Sequence, residues 1–575
     1  MVMYPTAGEA MTKAFETHQV FNQPPIYDGV DLYTSDLPLV AAIKAEGADW
    51  ANAELSAFGK SIGTAEEFHQ GHLANKHLPE LNLFDNQGFR ADSVEFHPSY
   101  HHFMARSKEA GIHCGAFDSL AQDDRRKHDG VGPVRAAKHY IMSQVEAGHI
   151  CPITMTHAAI PALQNQPDLF DQLKNKLLSR AYDPRFIPIE QKSGITVGMG
   201  MTEKQGGTDV RANTTTAKPV GSGGAGERYL ITGHKWFMSA PMCDAFLVLA
   251  QTDEKLSVFF VPRFRADGSM NSLRFQRLKN KLGNKSNASS EVEFHEAEGI
   301  LIGDEGRGIA NIMTMANYTR LDCALGSAGL MRQALSRAVH HASYRTVFQR
   351  KLIDQPMMAA LLADMCLEVT AATHLAMRLA GSYERMEDGG EDSAYARLMT
   401  PVTKYWVTKR GPTLAYEAME VHGGNGYVED GVLARIYREL PVNSIWEGSG
   451  SVMCLDLMRV AMRERDAFEA GIKWLGGGMG HAPTYDTAYK ELATLLSSGT
   501  MPEAQGRWLT ERIATLAAAR LLMERAPDHV ARAYIATRLD GSGRHGSYGC
   551  LPDFIDTRAV IEETVSLASN KRGNG

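Results

Sequence analysis

Cysteine is sparse and unpatterned in this sequence. Its seven cysteines are scattered over 575 residues, and no two of them form a CxxC pair. That spacing excludes a disulfide framework and argues against a zinc cluster, so we expect no metal site. Scattered free thiols are typical of a reducing compartment, and we therefore expect a cytoplasmic protein.

Segments for export or for membrane insertion are also missing. The first residues do not combine a basic start with an apolar core, so we expect no signal peptide. No run approaches the roughly 18 apolar residues of a membrane span, and we expect no membrane partner. The net charge of −7 is mild for this length, which argues against a protein covered with nucleic acid but allows a local basic face.

Two common catalytic or nucleotide-binding motifs are absent. The sequence contains no P-loop and no H-E-x-x-H, so no motif supports a P-loop NTPase or a zinc protease. A G-x-G-x-x-G match occurs at Gly541–Gly546, but no clear strand precedes it. We predict a loop there rather than a dinucleotide site.

The chain is too long for one hydrophobic core, because single domains usually run to about 100–200 residues. An apolar fraction of 44% and a charged fraction of 22% are ordinary for a globular protein. We predict an α+β protein in four parts. These are an N-terminal arm and helical domain (1–195), a β domain (196–305), a helical bundle (306–458) and an extra C-terminal helical domain (459–575).

Changes in residue pattern carry this division. Between residues 196 and 305, short β-favouring runs alternate with turn residues, as in a compact β domain. The stretches Ile309–His341 and Pro356–Met386 are long, apolar and almost free of glycine and proline, which predicts helices buried in a bundle and further in an oligomer. A glycine-rich segment, Gly476–Gly480, opens the last helical part.

Two motifs of the β region combine groups that suit a flat, polar ligand. In MGMTEKQGGTDV (Met199–Val210), glycines allow close backbone approach, and two threonine hydroxyls can bind a polar ring edge or a phosphate. In GHKWFMSA (Gly233–Ala240), adjacent aromatics and a serine can stack on a ring and bond its edge. The alternatives are a solvated turn and a strand with core aromatics, and each motif alone leaves its alternative open.

Two motifs of the helical region are also ambiguous alone. In IWEGSG (Ile445–Gly450), a lone carboxylate stands in an apolar stretch, where burial would raise its pKa and make it a stronger base. The alternative is an ion pair with a nearby arginine, Arg435 or Arg438. In EVHGGNGY (Glu420–Tyr427), the glycines fit a helix cap or a backbone cradle for phosphate, and the cap is the simpler interpretation.

Taken in order, these motifs resemble those of the acyl-CoA dehydrogenase family over residues 150–459. The matching segments are MTEKQGGTD (Met201–Asp209), KWFMS (Lys235–Ser239), KLGNKSNASSEVEF (Lys281–Phe294), IGDEGRGI (Ile302–Ile309), RTVFQRKLIDQPMMAALLADM (Arg345–Met365), GGNGY (Gly423–Tyr427) and IWEGSG. The resemblance implies a helical domain, a central β domain and a helical bundle, with FAD bound between the last two. It also implies a homotetramer.

The resemblance further implies which residues hold FAD. The glycine-containing loop would bind the flavin and the pyrophosphate, the aromatic strand would cover the ring, and a neighbouring subunit would grip the adenine diphosphate half. The matching positions are Met199, Met201, Thr202, Gly207, Thr208, Phe237, Ser239, Arg345, Phe348, Gln355, Glu420, Gly423, Gly424, Trp446 and Ser449. Because two chains would share the site, FAD binding should depend on oligomerisation.

The same resemblance implies the reaction and its base. Glu447 stands at the position of the family's catalytic glutamate, while Thr319, at the alternative base position, offers no carboxylate. The expected reaction is removal of the α-proton of an acyl-CoA substrate by Glu447, with transfer of the β-hydride to flavin N5. The backbone N–H of the base and a ribityl hydroxyl would polarise the thioester carbonyl. Trp446 stands where tyrosine is usual.

A second hypothesis is of a different class. Within the family, VFNQP (Val20–Pro24) and CPITMT (Cys151–Thr156) are most similar to a bacterial alkylation-response group, which has an extra C-terminal domain and is associated with double-stranded DNA. Residues 459–575 carry 15 basic and 14 acidic side chains, with seven arginines between Arg507 and Arg544. Arginine is favoured for phosphate contact, so this domain could bind the DNA backbone. A solvated helical domain is the equal alternative.

Overall fold

The computed structural model describes residues 17–121, 129–253, 255–386, 389–497, 502–540 and 546–566. The chain forms helices in its N-terminal third, a β-sheet in the middle and helices again towards its end. This order confirms the predicted α+β class. Residues 1–16 of the predicted N-terminal arm, and most of the predicted loop at Gly541–Gly546, lie outside the described residues.

The described N-terminal part consists of helices with one hairpin inserted. The helices are α1 (Leu37–Ala45), α2 (Asn52–Ile62), α3 (Ala65–Lys76), α4 (Pro98–Glu109), α5 (Val131–Ser143), α6 (Ile150–Leu163) and α7 (Pro167–Leu177). The hairpin of β1 (Glu80–Phe84) and β2 (Arg90–Glu95) was not expected from the sequence, because few of its side chains are buried. Its turn closes because the Asp85 carboxylate accepts two backbone N–H groups, at 2.9 and 2.8 Å, and Gly88 adopts a φ of +87°.

Seven described strands of the β domain form one sheet that closes on itself. They are β3 (Val197–Gly200), β4 (Thr216–Pro219), β5 (Arg228–Ser239), β6 (Ala245–Thr252), β7 (Lys255–Pro262), β8 (Leu273–Leu278) and β9 (Ser289–Leu301). The pairings β6–β7, β7–β9, β9–β5, β5–β4 and β4–β6 complete a ring. Gly200 of β3 pairs with Met238 of β5, so the two β-region motifs lie side by side.

Long helices form the bundle. They are α8 (Gly308–Tyr344), α9 (Pro356–Arg385), α10 (Gly390–Val421), α12 (Val432–Asn443) and α13 (Gly450–Arg463), with β10 (Thr346–Val347), β11 (Arg350–Lys351) and α11 (Gly424–Tyr427) in the connections. The two predicted long helices are confirmed as α8 and α9, with ends within three residues. Gly329 lets α8 approach α5, since a Cβ there would lie 2.4 Å from the Tyr140 carbonyl oxygen. The predicted boundary before residue 459 falls inside α13.

Buried ion pairs fix the C-terminal helices to the bundle and to the N-terminal part. The helices are α14 (Arg465–Gly476), α15 (Pro483–Ser497), α16 (Gly506–Arg525), α17 (Asp528–Arg538) and α18 (Thr557–Glu562). Arg538 pairs with Asp364 at 2.5 Å and with Glu368 at 2.8 Å, both on α9. Arg525 pairs with Glu46 at 2.7 Å. The C-terminal part is therefore docked on the rest of the chain.

One described helix has the length and composition of a membrane span. An 18-residue window of α9 has a mean hydropathy of 1.3, so the expectation that no run approaches a span is too strict. Since 78% of that window is buried inside the protein, α9 behaves as a core helix of the bundle.

Candidate active site

One cavity of about 960 Å³ lies where the β domain meets α6, α8 and the loop between α12 and α13. Its volume is at the upper end of the roughly 300–1,000 Å³ typical of small-molecule sites. Ten of the sixteen predicted site residues line it: Met199, Met201, Thr202, Gly207, Thr208, Phe237, Ser239, Trp446, Glu447 and Ser449. Motifs from the β domain and from the bundle therefore meet at one site.

The loop after β3 is held by a buried ion pair. Glu203 and Lys235 lie 2.7 Å apart with both side chains fully buried. Glu203 also accepts two backbone N–H groups, at 2.7 and 3.1 Å. Burial would raise the pKa of Glu203, but Lys235 outweighs it and holds that pKa well below its ordinary value. Gly207 is needed here, because a Cβ would lie 2.3 Å from Thr202 Oγ1, a hydroxyl at the cavity wall.

The end of β5 presents an aromatic ring and a hydroxyl to the cavity. Phe237 lines the cavity and is 49% exposed, which is high for a large aromatic side chain. Ser239 Oγ lies 3.2 Å from Ser289 Oγ, to which Lys281 Nζ donates at 2.9 Å. Burial lowers the pKa of Lys281 to about 8. A flat apolar surface thus lies next to hydrogen-bonding groups, as a planar heteroaromatic ligand requires.

Glu447 lies in a tight loop between α12 and α13. Its φ of +58° is in the left-handed region, and the following Gly448 has a φ of +95°. The left-handed conformation costs a non-glycine residue roughly 1–2 kcal/mol, so the surrounding contacts must hold it. Arg320 Nε donates to the Glu447 carbonyl at 3.1 Å, and Lys404 Nζ donates to the Trp446 carbonyl at 2.7 Å. These contacts fix the turn that carries the carboxylate.

The Glu447 carboxylate accepts one hydrogen bond from the described part of the chain. The donor is Thr319 Oγ1 on α8, at 2.6 Å from Oε2. Burial raises the pKa of Glu447 above its ordinary value, against the lowering effects of this hydrogen bond and of the charges on Lys404 and Arg320. The group is therefore a stronger base than an exposed glutamate.

The alternative of an arginine partner for this carboxylate is wrong. Arg435 donates to the carbonyls of Gly71 and Val145 at 2.8 and 3.0 Å. Arg438 pairs with Glu429 instead. Since the described residues include no ion-pair partner for Glu447, its environment favours a role in chemistry over a structural one.

A buried polar network backs the inner wall of the cavity. Arg135 binds Asp322 through two guanidinium nitrogens, one of them at 2.6 Å, and Thr154 Oγ1 donates to Asp322 at 2.6 Å. Burial opposes ionisation of Asp322, but Arg135 outweighs it and holds its pKa well below the ordinary value. Burial lowers the pKa of His139 to about 4, so this ring is neutral at pH 7. Thr154 Oγ1 donates its hydrogen to Asp322, so it can only accept from His139 Nε2, which lies 3.2 Å away. The neutral His139 ring therefore carries its proton on Nε2.

Six predicted cofactor residues lie outside this cavity, near the C-terminal ends of α8 and α10. They are Arg345, Phe348, Gln355, Glu420, Gly423 and Gly424. The two helix ends are adjacent, since the rings of His341 and His422 are 4.4 Å apart. Phe348 is 91% exposed. Gly423, with a φ of +61°, follows the last turn of α10, as the helix-cap interpretation predicts.

Several cavity residues received no role from the sequence. Three of them lie within motifs that the sequence analysis quoted, CPITMT and KLGN: Cys151, Thr154 and Lys281. The motifs did not indicate that these side chains line a cavity. Arg320 follows Thr319 directly. Lys404 lies outside the cavity lining but contacts the base loop, and it had no local signal in the sequence, because this contact depends on how α10 packs against α8.

Comparison with protein families gives matches to three segments of the chain. Residues 22–184 match the N-terminal domain of the adaptive response protein AidB. Residues 198–297 match the middle domain of acyl-CoA dehydrogenases, and residues 306–462 match their C-terminal domain. The matched segments contain all sixteen predicted site residues.

Individual proteins give the same result. AidB of Escherichia coli (strain K12) is 44% identical over 530 residues, which cover 92% of this chain and 96% of AidB. Acyl-CoA dehydrogenase family member 11 of Caenorhabditis elegans is 31% identical over 540 residues, or 88% and 84% of the two chains. Two solved structures each have a TM-score of 0.78 and 26% identity. The first is the Bd2924 apo-form, and the match covers 88% of this chain and 100% of the Bd2924 chain. The second is C. elegans ACDH-11 in complex with C11-CoA, and the match covers 97% of this chain and 93% of the ACDH-11 chain.

Proposed function

The chain belongs to the acyl-CoA dehydrogenase family and is AidB-like, and from this premise we propose that it catalyses FAD-dependent α,β-dehydrogenation of an acyl-CoA thioester. Membership makes it an oxidoreductase and a flavoprotein. One observation carries the proposal. Glu447, at the family's base position, is a partly buried carboxylate on the cavity wall with a raised pKa and no ion-pair partner in the described residues.

The residues around the cavity suit FAD. Phe237 offers an exposed ring at the end of β5, and Ser239 offers a hydroxyl beside it. Thr202 and Thr208 add hydroxyls from a loop in which Gly207 removes the bulk of a side chain. Such donors and acceptors can bind a heteroaromatic edge and a pyrophosphate. FAD, when bound, supplies a two-electron acceptor for the hydride of the substrate β-carbon.

The protein's own part in the reaction is proton removal and carbonyl polarisation. Glu447 takes the α-proton on its carboxylate, which Thr319 holds in place. The Glu447 backbone N–H donates to no acceptor among the described residues, so it is free to bind the thioester carbonyl. A donor placed in this way stabilises the negative charge that develops on the thioester oxygen as the proton leaves.

We propose a short or branched acyl chain as the substrate class. Trp446, whose Nε1 donates to Asn443 Oδ1 at 3.0 Å, stands rigidly beside the base and takes up space there. The polar side chains of His139, Thr154 and Asp322 interrupt the apolar lining of the cavity. A long alkyl chain would have to be buried against these groups, which is unfavourable.

An anaerobic titration tests the proposed function. The purified yellow protein is mixed with a panel of acyl-CoA thioesters that differ in chain length and branching, and flavin absorbance is recorded. We expect bleaching, strongest with short or branched chains. Retention of full flavin absorbance with every thioester, in protein that contains FAD, would contradict a dehydrogenase function.

We also propose a homotetramer in the cytoplasm. Of the six cofactor-type residues outside the cavity, Phe348, Glu420, Gly423 and Gly424 are exposed, which suits a contribution to the FAD site of a second chain. All seven cysteines are free, as in a reducing compartment. Native mass spectrometry with and without FAD tests the assembly. A monomer with full FAD content would contradict a site shared between chains.

DNA binding is a separate prediction with its own test. Of the six described arginines between residues 507 and 538, four have side chains at most 17% exposed and are paired with carboxylates: Arg512, Arg520, Arg525 and Arg538. Arg507 and Arg532 are exposed. Replacing both with glutamine should reduce salt-dependent binding to duplex DNA if this face contacts phosphate. Unchanged affinity would exclude that face as the DNA contact.

Point variants test this better than removal of residues 459–575 does. That truncation would leave Asp364 and Glu368 without their partner Arg538.

A further inference from the structure

Lys404 of α10 is bonded to the base loop on both sides of Glu447. Its Nζ donates to the carbonyls of Trp446, at 2.7 Å, and Gly448. Arg320 Nε donates to the carbonyl of Glu447 itself. Three consecutive carbonyls of the left-handed turn therefore accept hydrogen bonds from two cations, and both cations are buried.

The two cations differ in how their charge is neutralised. Arg320 Nη1 forms an ion pair with Asp456 at 2.9 Å. Lys404 has no ion-pair partner in the part of the chain that the structure describes. The charged and titratable groups that face it are Cys323, Glu447, Arg320 and Lys409. Burial raises the pKa of the Cys323 thiol to about 12, so Glu447 is the group in this set that carries a negative charge near pH 7, and the Lys404 charge acts on it.

We propose that Lys404 is a positioning residue for the base, because its two hydrogen bonds hold the turn at Glu447 and its charge keeps the Glu447 carboxylate ionised. The proposal rests on the proposed role of Glu447 in dehydrogenation. A neutral side chain at position 404 would leave the partly buried Glu447 carboxylate without this opposing charge, so Glu447 would take up a proton at higher pH. An apolar side chain would also leave two buried carbonyls without a donor.

Three substitutions separate the charge of Lys404 from its hydrogen bonds. Lys404→Arg keeps the charge and the donors, Lys404→Gln keeps donors without charge, and Lys404→Met keeps neither. The readout is the midpoint of Glu447 protonation, measured by infrared difference titration and assigned with Glu447→Gln. We expect Lys404→Gln and Lys404→Met to raise the midpoint by roughly one to three pH units. Lys404→Arg should stay close to the wild type.

Lys473→Met is the control, because Lys473 on α14 is an exposed lysine that is not among the groups facing Lys404. Its midpoint should equal that of the wild type. The rate of flavin reduction should fall further in Lys404→Met than in Lys404→Gln, since only the second keeps donors for the turn. If Lys404→Met fails to fold, Lys404→Gln decides the charge effect.

Equal midpoints in the wild type and in both neutral variants would overturn the proposal. The infrared titration does not depend on turnover. If no acyl-CoA bleaches the flavin but the neutral variants shift the midpoint, the proposed function fails and the positioning role of Lys404 is supported. If the wild type bleaches and the midpoints are equal, the function is supported and the role of Lys404 fails.

Discussion

Thr319 Oγ1 lies 2.6 Å from Glu447 Oε2, so the residue at the family's alternative base position donates to the base itself. Thr319 Oγ1 is also 2.9 Å from the Ala316 carbonyl, and its single hydrogen can serve only one acceptor at a time. With Glu447 ionised, the charge-assisted bond is the stronger of the two. Once Glu447 has taken a proton, its O–H can donate to Thr319, whose hydrogen then turns to Ala316. Both protonation states are thus satisfied without a change in position.

Thr319→Val should shift the pH dependence of flavin reduction. The Thr319 hydrogen bond lowers the pKa of Glu447, so its loss raises that pKa further. The reaction requires the ionised carboxylate, and its rate falls as pH drops through this pKa. The acidic limb should therefore move to higher pH by about one to two units, as expected for a hydrogen bond worth about 1.5–3 kcal/mol. Thr314→Val, a partly exposed position on the same helix, should leave the acidic limb in place. An unmoved limb in Thr319→Val would contradict the assignment.

Glu203→Gln should destabilise the loop that carries Thr202 and Gly207. It leaves Lys235 charged and buried without its partner, which costs roughly 3–5 kcal/mol. We expect a lower Tm and weaker FAD retention, measured by thermal unfolding and by flavin content after dialysis. Glu293→Gln, at an exposed pair with His295, should change neither. Full flavin content in Glu203→Gln would show that the ion pair does not support the cofactor loop.

The same pair predicts a response to acid. The pKa of Glu203 is lower in the folded protein than its ordinary value. Its stabilising contribution is therefore complete above the ordinary pKa of a glutamate, about 4.3, and is lost as pH falls through the folded-state pKa. The Tm difference between wild type and Glu203→Gln should shrink below about pH 4. A constant difference down to pH 3 would contradict this account.

Gly326→Ala should narrow the inner end of the cavity without strain. An added Cβ would lie 3.5 Å from both His139 Cε1 and Ser143 Oγ, which is ordinary contact. Alanine also favours the helix by about 1 kcal/mol, so the Tm should rise slightly. Relative rates of flavin reduction should fall most for branched acyl chains. Gly329→Ala, one turn along, should destabilise instead because of its contact with Tyr140. Unchanged relative rates in Gly326→Ala would show that the acyl chain does not reach this wall.

Arg538→Met should loosen the C-terminal helices. Asp364 and Glu368 would lose a cation that they contact in a buried setting, at a cost of roughly 3–5 kcal/mol. Arg532→Met, six residues earlier on the same helix, removes a side chain that is 72% exposed and should leave the Tm unchanged. Equal Tm values for the two variants would contradict a docked C-terminal part.

Local pattern was enough to predict the larger elements of the fold. The long helices α8 and α9 were predicted within three residues, because burial against several neighbours requires an almost continuous apolar sequence. The hairpin β1–β2 was missed because few of its side chains are buried. Asp85 and Gly88, which shape its turn, are common in loops of many kinds.

The site residues also differ in whether local sequence indicates their role. Glu447 and the FAD loop lie in motifs that remain recognisable in the sequence. Lys404 and Arg135 act through contacts with segments far away in the chain, and nothing in their local sequence indicates those contacts. Likewise, the sequence placed Arg435 and Arg438 near the base, whereas folding directs them to other partners.

The most direct test of the central claim compares wild type with Glu447→Gln under anaerobic conditions, each loaded with FAD and mixed with the acyl-CoA that bleaches the wild type best. The amide matches the carboxylate in shape but cannot take the α-proton. We predict that Glu447→Gln binds the thioester, stays yellow, and reduces its flavin at least 10²–10⁴-fold more slowly, the usual contribution of a general base. Bleaching of Glu447→Gln at the wild-type rate would contradict the assignment of Glu447 as the base.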